Sequence, residues 1–308
     1  MGSQAASNNA NPWRGEARLQ FVRSGARTIH QGSSSAPLKL QRAFHQASGH
    51  CELPLLHTAG GLVGGDELLI EAQLAAGSQA LLTSVAAQKV YGSVGRCRLT
   101  PEGRWARQHL HVQLEPGSDL EWLPQELVVY AGGLYQQQAR VELAAGSSFL
   151  AADVVRLGRT AAGEELGDGC WRSALEIRRT TAASPRWLLV DRLELGGAAL
   201  HDPHGLAGQP VFGSLVWAAP QALAREQLDE LLANCRADRA GLEGEMACGA
   251  LEQGLVARYR GHSSQAARFW FSRIWRHTRL LRGLPPPELP RVWPFQEQPL
   301  QQRQTCSA

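Results

Sequence analysis

Carboxylates near predicted strand ends and turns are the first residues in this 308-residue chain whose types and positions could do chemistry. Two carboxylates that face each other on a β scaffold can act as the general acid and base of glycoside hydrolysis. Isolated carboxylates in the same places are ordinary solvated surface groups. Nothing local in the sequence separates the two interpretations, so both stay open. The acids are Asp66, Glu121, Glu126, Glu164, Asp191 and Glu194.

Two pairs of closely spaced histidines could bind a transition metal. His201 and His204 stand three positions apart, and His109 and His111 fall on one face of a predicted strand. Imidazole nitrogen is a good ligand for nickel, zinc and copper. Histidines beside proline and glycine turns are also common on protein surfaces. Each pair is therefore a candidate ligand set with a plain surface alternative.

A cluster of four glycines directly precedes Asp66; the glycines are Gly60, Gly61, Gly64 and Gly65. Glycine adopts positive φ angles without steric cost, so the cluster indicates tight turning or close approach of backbones. A phosphate-binding loop requires G-x-x-x-x-G-K-[ST], or G-x-G-x-x-G between a strand and a helix. The cluster has neither spacing, and the residues after it have a strand pattern. We expect a structural loop that holds Asp66 in place.

Composition and charge exclude several classes of function. The net charge of +3 is too small to indicate a nucleic-acid partner. No apolar run approaches the roughly 20 residues of a membrane span, and the polar segment 1–12 has no apolar core of a secretory signal. The six cysteines include no C-x₂-C pair, which favours free thiols in a reducing compartment. We expect a cytoplasmic protein that binds neither nucleic acid nor membrane.

The elements that position these residues are mainly short strands, over about residues 16–218. Many of them alternate apolar with polar residues, which is the period of a half-buried strand. The pattern Leu-x-x-Gly-Ser occurs three times, at 74–78, 114–118 and 143–147. Each copy would end one strand and turn the chain into the next. The spacing of the copies is too uneven for a strict repeat, but it allows stacked sheets with repeated corners.

Helical periodicity appears only late, at about 220–235 and 263–282. The second helix carries Trp270, Trp275 and Arg273 among several arginines. Trp and Arg are favoured at protein interfaces, so this helix could dock a partner. A solvated outer face with positive charge toward the helix C-terminus is the plain alternative.

We expect a single domain over residues 15–284. Residues 1–14 form a polar tail that we expect to be disordered. Residues 285–308 are rich in Pro and Gln, and we expect them to be extended or disordered.

Eight short motifs follow one another in a fixed order, and they resemble the urease accessory protein UreD family, also called UreH. The resemblance runs from about residue 15 to 282; each motif is weak alone, whereas the ordered set is specific. The motifs are GGLVGGDEL at 60–68, AAQKVY at 86–91, EWLPQE at 121–126, GRTAAGE at 158–164, LVDRL at 189–193, GLAG at 205–208, VARYRG at 256–261 and FSRIW at 271–275.

The resemblance implies a mainly β fold, with two stacked layers of strands in a β-helix-like arrangement and two α-helices late in the chain. It also implies a non-enzymatic urease maturation factor. Such a protein binds UreF, recruits the GTPase UreG through UreF, and docks on urease apoprotein. No cofactor is expected to bind tightly; Ni²⁺ passes through a water-filled tunnel to the urease active site.

The resemblance also implies roles for individual residues. Asp66 and Glu164 match acids of the family motifs and are the first candidates for the tunnel lining, followed by Glu121 and Glu126. Carboxylate oxygen binds Ni²⁺ more weakly than imidazole or thiolate, which suits a conduit. The other candidates are wall or interface residues: Lys89, Tyr91, Trp270, Trp275 and Arg273.

Two alternatives belong to other classes of protein. A β-helix-like enzyme could act on carbohydrate through paired carboxylates among Asp66, Glu121 and Glu164. A dedicated metallochaperone could hold nickel with His201 and His204, although the family usually carries small residues before the GLAG motif. This histidine pair is therefore expected to be a local feature of this chain.

Overall fold

Two β-sheets and two late α-helices make up the fold, which confirms the mainly β architecture predicted from the sequence. The computed structural model describes residues 12–95, 101, 103–180, 184–294 and 297–301. The predicted tails lie partly outside these residues. The first strand begins at Arg14, and residues 285–294 and 297–301 are described without helix or strand.

The first sheet, sheet A, has seven strands, and its four central pairings are all parallel. The two edge pairings are antiparallel. In spatial order its strands are β15 (Pro185–Gly196), β14 (Cys170–Thr180), β12 (Leu134–Leu143), β9 (Ala106–Leu114), β6 (Glu67–Leu74), β1 (Arg14–Ser24) and β2 (Arg27–Ser34).

The second sheet, sheet B, has eleven strands with a parallel centre. Its main path runs through β17 (Glu245–Leu251), β18 (Gly254–Gly261), β16 (Val211–Ala218), β13 (Ser148–Leu157), β10 (Asp119–Leu123), β7 (Gln79–Ser84), β5 (Cys51–His57) and β3 (Leu38–Leu40). Three short strands pair beside this path: β4 (Phe44–His45), β8 (Gln88–Val90) and β11 (Leu127–Val129).

Three stacked corners carry the chain from sheet A to sheet B, as the Leu-x-x-Gly-Ser pattern predicts. They join β6 to β7, β9 to β10 and β12 to β13. The corner glycines have φ between +66° and +69°, where other residues are strained. The N–H of Gly77 donates to the Pro116 carbonyl at 3.0 Å, and that of Gly117 donates to Ala145 at 3.1 Å. These bonds align successive coils, which gives the β-helix-like stack.

Two apolar layers hold the fold together. Inward side chains of both sheets form the larger core, with Phe21, Phe149 and Trp171 fully buried. The second layer lies between the outer face of sheet B and the helices α1 (Arg225–Ala237) and α2 (Ser264–Leu281). Burial of such apolar area is the main favourable contribution to folding.

The helix boundaries differ slightly from the prediction at one end. The N-cap of α1 is Ala224, whose N–H donates to Gln227 Oε1 at 3.3 Å, so Pro220 precedes the helix instead of starting it. Helix α2 begins close to the predicted position, and Ser263 caps it: its Oγ accepts a hydrogen bond from Ala266 N–H at 3.0 Å. No described helix is long and apolar enough to cross a membrane.

The segment after α2 folds back along that helix and sheet B. The indole Nε1 of Trp293 donates to Thr83 Oγ1 at 2.8 Å. Arg273 Nε donates to the Pro299 carbonyl at 3.0 Å. These two contacts fix the described part of the segment against the domain.

Candidate functional site

The loops opposite the three corners stack on one another and form one end of the molecule. We call this the loop end; it comprises residues 57–66, 85–95, 124–133 and 158–169. Backbone bonds join successive loops: Leu62 N–H donates to the Lys89 carbonyl at 2.8 Å, and Gly132 N–H donates to Leu166 at 2.9 Å. The stacking therefore brings Asp66, Lys89, Tyr91 and Glu164 to the same end of the fold.

The glycine cluster lets these backbones approach closely. A Cβ added at Gly61 would lie 2.6 Å from Tyr91 Cε2, and one at Gly64 would lie 2.4 Å from the Arg104 carbonyl oxygen. Gly60 and Gly65 turn the chain with φ of +76° and +103°. The following segment is β6, not a helix, so the loop lacks the context of a phosphate site.

Asp66 closes the glycine loop with its own carboxylate. One carboxylate oxygen accepts a hydrogen bond from Trp13 N–H and the other from Val63 N–H, both at 2.9 Å. Asp66 is 3% exposed. The carboxylate therefore ties the start of β1 to the loop. Burial lowers the pKa of the nearby His57, and the charge of Asp66 opposes this effect without outweighing it.

A chain of aromatic and charged contacts links the glycine loop to Glu164. The ring of Tyr91 packs edge-on against Tyr130 at 5.1 Å between centroids, and Arg159 lies over the Tyr130 ring at 4.7 Å. Arg159 Nε donates to Glu164 at 2.8 Å, and Ala131 N–H donates to the same carboxylate at 2.9 Å. Both hydrogen bonds lower the pKa of Glu164, and the bond from Arg159 has the larger effect. Glu164 is therefore charged at neutral pH.

The structure places the two histidines of the 201–204 segment in different grooves. His201 lines a groove with Glu164 and His262, whereas His204 lines another with Arg258 and Arg260. Both histidines are exposed. The pair is therefore not preorganised around one ion.

A polar cavity lies between the two sheets. It leaves about 60 Å³ for the centres of water-sized molecules, where one water needs roughly 10–15 Å³. Apolar core side chains share its wall with an unusual number of polar groups. The polar residues are His57, Ser84, Gln88, Gln108, Gln125, Tyr135, Gln137 and Asp153. Several water molecules fit, and they have polar partners.

Asp153 is the acid inside this cavity. Burial raises the pKa of its carboxyl to about 6, against the lowering effects of a hydrogen bond from Gln137 and the charge of Arg258. The Gln137 amide donates to Asp153 at 3.0 Å. His57 Nδ1 lies 3.4 Å from Gln88 Nε2, while its Nε2 has no hydrogen-bond partner among the described residues. These donor atoms face the cavity with capacity for water or a hydrated cation.

Glu121 lies on the other side of sheet B, against α2. Its carboxylate accepts hydrogen bonds from Arg279 at 2.9 Å and Arg282 at 2.7 Å. Together with His50 and Asp119 it forms the described group of three whose ligand atoms lie within 4.8 Å of one another. The two guanidinium groups compensate the charge of the two carboxylates, so the cluster is a buried ion network with little net negative charge to attract a cation.

Glu126 faces the same helix. Its carboxylate accepts a hydrogen bond from Arg268 at 3.0 Å, and its side chain is about one-quarter exposed. The expectation that the arginines of α2 form a solvated outer face requires correction. Arg268 and Arg279 are buried, because Glu126 in the loop after β10 and Glu121 on the outer face of sheet B supply their partners.

The side chains of α2 that were candidates for an interface lie in the interior of the fold. They are Trp270, Trp275 and Arg273. All three are fully buried. Trp270 Nε1 donates to the Cys235 carbonyl at 2.8 Å, which fastens α2 to α1. In this structure a partner could not reach these three side chains directly, and their expected role in the wall or an interface stays a prediction. Lys89 and Tyr91 are exposed at the loop end.

The internal acid and histidine were missed in the sequence, although a signal existed. Asp153 occupies an inward position of β13, between Ala151 and Val155, where the period of two requires an apolar residue. A charged residue at such a position costs free energy, so it marks a site. His57 ends the apolar strand β5 in the same way.

Comparisons with known proteins identify the family. The family model described as "UreD urease accessory protein" matches residues 14–294. A protein of Parasynechococcus marenigrum (strain WH8102) named urease accessory protein UreD is 64% identical over 289 residues, 94% of this chain and 93% of the relative. UreD of Prochlorococcus marinus (strain MIT 9313) is 58% identical over 294 residues, 93% of this chain and 92% of the relative. The chain therefore belongs to the UreD family of urease accessory proteins.

Proposed function

We propose that this urease accessory protein is a non-catalytic scaffold that guides Ni²⁺ toward urease apoprotein. In this proposal it works in the cytoplasm, binds UreF, and reaches the GTPase UreG through UreF. Nickel is cargo, and no cofactor is held tightly. The family membership supports the role in urease maturation, and the interior of the fold supports the guidance of a cation.

The polar cavity between the sheets carries the proposal. Its Asp153 carboxylate supplies negative charge in a space of a few water molecules, and His57 supplies a nitrogen that has no hydrogen-bond partner within the described part of the chain. A hydrated divalent cation is attracted by such a carboxylate, and amide groups can bond to its water shell. Oxygen ligands hold Ni²⁺ loosely compared with imidazole or thiolate sets. Loose binding permits passage.

The acids of the loop end extend the proposed path. Asp66 influences His57 in the cavity wall, and Glu164 lines a surface groove at the same end. We propose that these two acids guide the ion between the cavity and the groove. Glu121 and Glu126 stay predictions for this path, since their arginine partners already compensate much of their charge.

Nickel loading of urease by variants of this protein tests the proposal. Urease is co-expressed with its accessory proteins under limiting nickel, purified, and assayed for nickel content and activity. Asp153→Asn, Asp66→Ala and Glu164→Leu should each lower the nickel content, while Glu252→Gln on an exposed turn serves as the matched control. Normal loading by all three variants would overturn the proposed path.

Partner binding is tested separately by affinity purification from the same cells. UreF and urease apoprotein should co-purify with the wild-type chain and with Asp153→Asn. This result assigns the loading defect to transit and not to lost assembly. Failure of the wild-type chain to retain UreF or urease would contradict the scaffold role.

A further inference from the structure

The outward face of β9 carries two imidazoles at the centre of sheet A. His109 and His111 point to the same side because side chains alternate along a strand. Their ring centroids lie 6.4 Å apart, and each ring is partly exposed. β9 is the fourth of seven strands, and both described helices lie on sheet B. The pair therefore sits on a rigid and accessible surface.

A carboxylate stands beside this pair. Glu71 of β6 is the cross-strand partner of His111 in the parallel pairing of the two strands. Neighbouring strands lie about 4.8 Å apart. Glu71 also lies 3.2 Å from Arg18 and shares a shallow groove with His111. Rotation of the Glu71 side chain could bring its carboxylate toward the His111 ring.

Metal binding needs neutral imidazole rings whose nitrogens can approach one ion. A neutral ring offers a lone pair to a metal, whereas a protonated ring does not. Two ligand nitrogens of one ion must lie roughly 3 Å apart at metal–nitrogen distances of about 2.0–2.1 Å. The two ring centroids lie 6.4 Å apart, so binding of one ion requires both rings to rotate toward each other.

We propose that His109, His111 and Glu71 form a surface site for a late first-row divalent cation, with water in the remaining positions. Two imidazoles and one carboxylate favour Cu²⁺ most and bind Ni²⁺ and Zn²⁺ less strongly. The site is separate from the polar cavity and does not depend on the proposed path for nickel.

Titration of the untagged, full-length protein with Cu²⁺ and Ni²⁺ tests the site. One Cu²⁺ per chain should show nitrogen hyperfine splitting from two imidazoles in its electron paramagnetic resonance spectrum. The His109→Ala/His111→Ala variant should weaken Cu²⁺ binding by about 100-fold or more, and Glu71→Gln by about 10-fold. His201→Ala/His204→Ala is the matched control, and it should leave the binding unchanged.

Protons compete with the metal for the imidazoles, so lowering the pH from 7.5 to 5.5 should weaken Cu²⁺ binding. The charged groups that face the pair are Glu67, Glu71, Arg107, Arg140 and Glu142. Unchanged affinity in the His109→Ala/His111→Ala variant, or its loss in the control, would overturn the proposal. Urease loading by the β9 variant should stay normal, which distinguishes this result from failure of the proposed function.

Discussion

Glu121 of β10 and Arg279 of α2 form an ion pair with 2.9 Å between Oε1 and Nε, and the two side chains expose 0% and 1% of their surfaces. Arg282, one turn further along, donates to the same carboxylate. Both charges have left water, so each depends on its partner for compensation. The network fixes α2 on the outer face of sheet B.

Removal of one partner should therefore destabilise the protein strongly. We expect Glu121→Ala to lower the free energy of unfolding by about 3–5 kcal/mol, because Arg279 would remain buried and uncompensated. Urea denaturation at pH 7 measures this change. The exposed pair of Arg186 and Glu252 is the control, with side chains 59% and 55% exposed. Glu252→Ala should cost less than about 1 kcal/mol; equal losses would contradict the assignment.

Asp153 should make the stability of the protein depend on pH in a defined direction. Its folded-state pKa of about 6 lies above the usual aspartate value of 3.8. Between these values the folded state binds the proton more tightly than the unfolded state. Stability from this group therefore rises as the pH falls from 7 to 4, and it is lost as the pH rises through 6.

Comparison of Asp153→Asn with the wild type isolates this effect, because the amide cannot ionise. Relative to the wild type, the variant should gain up to about 3 kcal/mol above pH 6 and little at pH 4, at about 1.4 kcal/mol per pKa unit. Urea denaturation at several pH values gives the difference. A difference that does not vary with pH would contradict the raised pKa.

The local features of the fold could be predicted from the sequence, and the position of its buried charges could not. The Leu-x-x-Gly-Ser corners and the strands of 67–74 and 119–123 follow from local turn chemistry and a period of two. Glu121 has the same local pattern whether its face meets water, the cavity or a helix. Its burial depends on where α2 docks, which is a contact between residues 158 positions apart.

At the loop end, too, the local features could be predicted from the sequence and the contacts between distant residues could not. The glycine cluster indicates close backbone approach, and the structure places its partners at Tyr91 and Arg104. The sequence does not indicate that Arg159 pairs with Glu164 or that Ala131 N–H bonds to it. Those contacts require the stacking of four loops, which is set by the parallel register of the strands.

Cys248 of β17 should be the most readily alkylated of the described thiols. A hydrogen bond from Cys235 of α1, with help from Arg236 and Arg239, lowers the pKa of Cys248 to about 7 against the effect of burial. The thiolate is the reactive form. The rate of alkylation by iodoacetamide, followed by mass spectrometry at each cysteine, should rise with a midpoint near pH 7.

Cys235→Ala removes the donor and should move this midpoint of Cys248 toward the ordinary thiol value of about 8.5. Cys51 is the internal control, because it is fully buried and burial raises its pKa to about 11. It should stay unmodified over the same pH range. An unchanged midpoint in the variant would show that Cys235 does not control the reactivity.

Gly64 should not tolerate a side chain, for a steric reason and not because of its backbone angle. An added Cβ would lie 2.4 Å from the Arg104 carbonyl oxygen, which belongs to the backbone and cannot move independently. Gly64→Ala should therefore lower the free energy of unfolding by about 1–3 kcal/mol. Gly249 of β17 is the matched control, since nothing lies within 4 Å of its added Cβ. Gly249→Ala should change stability by less than about 0.5 kcal/mol. If the two substitutions cost the same in urea denaturation, the close approach between the glycine loop and Arg104, just before β9, does not constrain the loop end.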